Sequence, residues 1–134
     1  MLNPFPELLA FGLVAVFAIR VFLGVIFIRF GILKLKKDKV KKLLFFENAG
    51  MKPANMFLYG TSLIEIIGGL MLVIGLYTQI ASLILSIVML GAVFVKIKNP
   101  ELLKNDICYY LLLFITTLSL MFLGAGIFAF DLPL

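Results

Sequence analysis

Histidine is absent from this 134-residue sequence, and cysteine occurs once, at Cys108. One cysteine excludes an intramolecular disulfide and a CxxC redox pair. Protein zinc and haem sites draw on histidine or on several cysteines. The chain alone is therefore expected to hold no metal and no haem, and no cofactor covalently. Charge is also scarce, at 14% of residues, and acids number only seven. Met1 to Glu7 lacks the positive region that opens a cleavable signal peptide, and the apolar stretch after it is too long for a signal core, so the first helix is expected to be retained.

What is present is apolar. Hydrophobic residues make up 63% of the chain, against about 45–50% in a soluble domain. A chain this small has too little interior to hide that surface from water, whereas a bilayer removes the need. Four apolar runs stand out, at about 8–33, 54–76, 79–95 and 107–130. A spanning helix needs about 17–25 apolar residues. The second and third runs fit, and the first and fourth are long enough to tilt or project. The expected fold is all-α: a membrane-spanning four-helix bundle forming one domain, 1–134.

The net charge of +5 raises the question of nucleic acid. The distribution argues against it, because most lysines lie in one segment between two apolar runs and no soluble face is left to bind a polyanion. That segment, KLKKDKVKKLLFFENAGMKP (34–53), places Val40, Leu43, Leu44 and Phe46 on one side of a short helix with lysines around it. This is the pattern of an interfacial amphipathic helix, with anionic lipid headgroups as the expected counter-charge. Gly50 is suited to end the helix, and Pro53 to open the next. The second connection, Tyr77-Thr78-Gln79, is short and uncharged; the third, 96–106, is polar and contains Asn99-Pro100. Of the twelve basic residues only Arg20 and Arg29 are not lysines, and all ten lysines fall on the side of the first and third connections. The positive-inside rule makes that side cytoplasmic and turns both termini outward. Tyr59, Tyr77, Tyr109 and Tyr110 lie near the predicted helix ends, where an aromatic belt is expected.

Two ionisable residues interrupt the apolar runs, Arg20 in the first and Glu65 in the second. A charge at the bilayer centre costs about 2.5–3.5 kcal/mol on insertion scales, so such residues face the bundle interior and find partners. Arg20 lies 14 residues before Lys34, and Glu65 lies 11 after Ala54. At about 1.5 Å per residue the two sit roughly 21 and 16 Å from the lysine-rich connection. The expectation is an Arg20–Glu65 ion pair, or a shared polar ligand. Such a pair serves either to fix helix register or to handle a ligand or proton. Arg20, Gly24, Phe27, Gly31 and Lys34 share one helical face; so do Thr61, Glu65, Gly68, Gly69, Leu72 and Gly75. The glycines either let helices pack closely or leave room for a flat ligand. Arg29, one turn from the interface, is placed to snorkel. Asp106 suits a helix N-terminus, and Gly124-Ala125-Gly126 and Asp131 close the last run.

RVFLGVIFIRFGILKL (20–35) resembles the first helix of the DoxX family, with its arginine, spaced glycines and closing Gly-x-x-Lys. IEIIGGLMLVIGLYTQIASLILSIVMLGAV (64–93) is similar to that family's second and third helices, and GAGIFAFD (124–131) to its C-terminal Gly-x-Gly and Asp. The resemblance implies a four-helix inner-membrane protein associated with redox chemistry, since relatives include small subunits of thiosulfate:quinone oxidoreductase. A distant branch includes a receptor chaperone, so membership alone leaves function open. Many relatives carry a histidine where this chain has Phe30, and a proton role for that histidine does not transfer.

Three functional readings follow. In the first, a redox-associated membrane subunit binds a quinone or small anion through Arg20, Glu65, Lys34, Thr61 and the glycines 24, 31, 68 and 69. Arg20 would bond a carbonyl, Glu65 would carry a proton, and a protein partner would supply the electrons. In the second, a non-enzymatic scaffold or assembly factor docks a partner or anionic lipid through the basic connection. The third is a small-solute carrier, which needs a homo-oligomer because a single copy has too few helices for the usual repeats.

Overall fold

The computed structural model describes residues 4–36, 39–48, 50, 54–102 and 105–130. The described residues form helices joined by short connections. A 3-10 segment, Pro6–Phe11, leads into α1 (Gly12–Lys36); α2 is Lys39–Asn48, α3 Ala54–Ile74, α4 Thr78–Lys98 and α5 Ile107–Leu123, with a 3-10 turn at Pro100–Leu102. The first run forms a continuous 31-residue span, Pro6–Lys36, and α3 and α4 are also long and apolar enough to cross a membrane. At 17 residues, α5 meets only the lower limit of about 17 for a spanning helix. The all-α bundle with a short helix in its first connection is the observed architecture.

In the bundle α1 packs on α3, α3 on α4, α4 on α5, and α5 returns to α1. Large apolar side chains on the outer faces of all four helices are exposed, including Phe22, Ile67, Ile87 and Ile115, while Phe27, Leu58, Leu72, Leu85 and Leu120 are fully buried. A soluble bundle does not leave such surface in water. Hydrocarbon solvates it without penalty.

Glycine sets the closest approach. A Cβ on Gly24 would stand 2.6 Å from the Gly69 carbonyl oxygen, and one on Gly69 would stand 2.6 Å from that of Gly24. The two backbones meet there, as small residues allow helices in lipid to do. Gly31 faces the Ser62 carbonyl and the Ile66 side chain, and Gly68 receives the side chain of Leu85. These four glycines are thus filled by neighbouring helices rather than held open.

Helix ends follow local chemistry. At the close of α3 the Leu76 amide bonds to the Met71 carbonyl, with Gly75 at φ 78, a left-handed cap of the Schellman kind. Tyr77 is also left-handed, at φ 47, and completes the tight turn into α4. In α2, Val40 and Leu44 are exposed and Leu43 packs against the core. Gly50, at φ 77, follows with its amide on the Glu47 carbonyl. The side chain of Phe46 and all of Pro53 lie outside the described residues.

One boundary departs from expectation. The fourth run was expected to be helical to about residue 130, yet α5 ends at Leu123. Gly124 and Gly126 have positive φ, and the chain turns back across α1, where a Cβ on Gly126 would stand 2.9 Å from the Leu13 carbonyl oxygen. Residues 124–130 form a non-helical strap over this end of the bundle.

Candidate functional site

Glu65 is buried on α3, and its Oε1 receives a 2.7 Å charged hydrogen bond from Lys34 Nζ. The carboxylate is 1% exposed and the lysine side chain 16% exposed, so the pair meets at the edge of the interior with the lysine on the wetter side. One helical turn before Glu65, Ser62 is fully buried, and its hydroxyl has no hydrogen-bond partner among the described residues. An unsatisfied buried hydroxyl costs about 1–3 kcal/mol. From α5, the buried Tyr110 hydroxyl hydrogen-bonds Asn105 and lies within electrostatic reach of Glu65.

Aromatic rings line the same end. Phe30 packs edge-on against Phe27 at 6.5 Å and against Tyr109 at 6.0 Å, and Tyr109 packs edge-on against Tyr110 at 5.8 Å. Phe30 stands one turn before Lys34, so the rings adjoin the ion pair. Tyr59 and Tyr77 are exposed, as a belt requires, but Tyr110 turns inward.

Arg20 does not meet Glu65, contrary to the sequence-based expectation. Its guanidinium donates to the carbonyl oxygens of Ala125 and, at 2.9 Å, Phe128, and stacks over Phe17 at 5.2 Å. Gly75 makes room for it, because a Cβ there would stand 2.6 Å from Arg20 Nη1. Gly75 is ten residues beyond Glu65, about 15 Å along the helix. The depth estimate failed because Lys34 and Ala54 are not level. Gly31 already stands against Ser62 and Ile66, so α3 begins beyond the exit of α1, and α2 packs against α3. The single polar centre expected from sequence is therefore two spots, at opposite ends of the bundle.

Of the predicted site residues, the structure brings Lys34 and Glu65 together. Arg20 is held by the strap. Thr61 Oγ1 bonds to the Phe57 and Leu58 carbonyls of its own helix. Gly24, Gly31, Gly68 and Gly69 serve packing. Sequence reasoning missed Ser62, although its position three residues before Glu65 placed it on the same face. It also missed the hydrogen bond of Asn105 with the buried Tyr110, which only the tertiary fold brings about.

The profile of the DoxX family matches residues 15–96, a span that includes Arg20, Lys34, Ser62 and Glu65. Over 114 residues the chain is 31% identical to a protein of Bacillus subtilis (strain 168) named "Putative oxidoreductase CatD", covering 84% of this chain and 81% of that one. No solved structure matches. The apolar spans and the family match together make this an integral membrane protein, and the chain belongs to the DoxX family.

Proposed function

We propose that this protein is a membrane subunit of a quinone-linked redox system, and that the quinone ring binds beside Lys34 and Glu65. The observation that carries this reading is the buried ion pair flanked by the unpartnered hydroxyl of Ser62. The name of the Bacillus relative lends oxidoreductase chemistry. Reduction of a quinone to a quinol takes two electrons and two protons. With one cysteine and no histidine in the chain, a protein partner supplies the electrons. Lys34 and Ser62 donate hydrogen bonds to a carbonyl oxygen, which gains negative charge as electrons arrive. Glu65 relays protons to it. Phe30 and Tyr109 offer the flat apolar walls that a ring requires.

Orientation follows the lysines. The lysine-bearing connections face the cytoplasm of a cell whose inner or plasma membrane holds the protein. There α2 presents exposed Val40, at 72% exposure, beside lysines to the anionic headgroups of that leaflet.

Photolabelling with an azido-quinone in membranes tests the site. Label is expected on peptides carrying Phe30–Lys34 and Ser62–Glu65, and less of it on the Lys34→Met/Glu65→Leu protein. Label confined to the lipid-facing surfaces, or unchanged in the double variant, would refute the assignment.

A further inference from the structure

We propose that the seam between α1 and α5 is the side entrance of the Lys34–Glu65 site, and that it admits a quinone whose long apolar tail stays in the bilayer. The inference rests on the proposed quinone site. It adds the class of quinone and the route that brings it there.

A quinone with a long tail does not reach the site through water, because the tail is held in hydrocarbon. It has to pass between two helices, and the seams differ in how they are fastened. The main chains of α1 and α3 touch at Gly24 and Gly69, and again where Gly31 meets the Ser62 carbonyl. Leu85 seated on Gly68 joins α4 to α3, and α4 packs extensively on α5. Helices that meet so closely part only with the loss of many contacts. By contrast α1 and α5 approach each other sparsely. At one end of their seam Arg20 ties α1 to the strap, through the carbonyls of Ala125 and Phe128. From Leu23 to Phe30 the side chains of α1 are apolar except that of Arg29, which is exposed. The buried contacts of that stretch are van der Waals contacts between side chains, which rearrange without breaking a hydrogen bond.

The other end of the seam lies beside the ion pair. Phe30 and Tyr109, both half-buried, meet edge-on across it at 6.0 Å. Phe30 is one turn before Lys34 on the same face of α1, so a head group passing these rings arrives beside Lys34 and Glu65. Either ring can change rotamer while both helix backbones stay in place. Phe27 packs edge-on behind Phe30 at 6.5 Å and is fully buried, so the seam is closed in this structure. Farther along, its walls stay apolar. Half-buried Ile26 stands one turn before Phe30 on α1. Half-buried Thr116, two turns beyond Tyr109 on α5, keeps its hydroxyl on the Leu112 and Leu113 carbonyls. A tail lying there meets methyl and aromatic surface and displaces no hydrogen bond.

Wild-type protein in phosphatidylethanolamine–phosphatidylglycerol vesicles tests the entrance without any quinone. A bilayer-soluble alkyl diazirine is photolysed in the vesicles, and labelled residues are mapped by mass spectrometry. Each buried residue is scored against an exposed neighbour on its own helix: Phe27 against Val25, Leu113 against Leu112, and Leu85 against Ile84. Transient opening of the α1–α5 seam is expected to give Phe27 and Leu113 scores severalfold above that of Leu85, which lies in the α3–α4 seam. Equal scores, or a higher one for Leu85, would overturn the entrance. The labelling is then repeated with menadione and with the same ring bearing a polyprenyl tail. The tailed quinone is expected to protect Phe27 and Leu113 severalfold, and the tail-less one much less. Equal protection by both would overturn the placement of the tail. Protection by neither, with the unequal scores intact, would strike the quinone reading and the tail with it, while the entrance stands.

Discussion

Lys34 and Glu65 show how two charges persist in an apolar bundle. Each is costly to desolvate alone, and the 2.7 Å charged hydrogen bond offsets part of that cost. Removing one partner strands the other. Lys34→Met should therefore lower stability by about 3–5 kcal/mol, whereas Lys34→Met/Glu65→Leu should recover much of it. Thermal unfolding of the three proteins in mild detergent measures this. A neutral single variant would show that the pair is already solvated. The sequence made both residues legible, because a glutamate inside an apolar run is conspicuous. It did not reveal their pairing. Lys34 reads from sequence as a loop-edge lysine, and only the offset between α1 and α3 carries it to Glu65. Tyr110 was legible as an interfacial aromatic for the same reason of position, and its inward turn depends on how α5 packs.

At the scale of elements, the informative one is the shortest. The 17 residues of α5 rise about 25 Å, short of a hydrocarbon core of about 30 Å. The strap that follows brings irregular backbone to membrane depth, where unsatisfied carbonyls are tolerated only inside protein and only with donors. Arg20 supplies them, through two nitrogens to two carbonyls. Arg20→Gln should cost about 1.5–3 kcal/mol of stability, as expected for the loss of hydrogen bonds from a charged group. It should also speed chymotryptic cleavage at Phe128 and Phe130. Limited proteolysis in detergent checks this, and unchanged cleavage would show the strap is held by other contacts. The glycines at 124 and 126 were visible in the sequence as helix breakers, but apolar residues continue to Phe130 and extended the apparent helix past them. Composition does not distinguish a helix from a strap when both are apolar. The starts and ends of α3 and α4 were closely legible, because their apolar runs end at Gly75 and at the lysines of the third connection.

For the whole molecule, charge and glycine divide the bundle along its axis. Lysines mark one end, the glycine contact joins α1 to α3 in the middle, and an arginine fastens the strap at the other end. The ion pair lies on the lysine side of that contact, near aromatic rings and a hydroxyl that has no partner among the described residues. Residence in the membrane and the helical bundle were readable from hydropathy alone, since lipid leaves the outer faces of the helices apolar. The separation of Arg20 from Glu65 was not, because helix offset is a tertiary property. The claim at the centre is that this polar spot holds a quinone. Native mass spectrometry of protein released gently from its membrane reports bound molecules and copy number together. A quinone mass should remain on the wild-type protein and be lost from folded Lys34→Met/Glu65→Leu protein. Wild-type protein that carries only phospholipid, or a double variant that keeps the quinone, would contradict it.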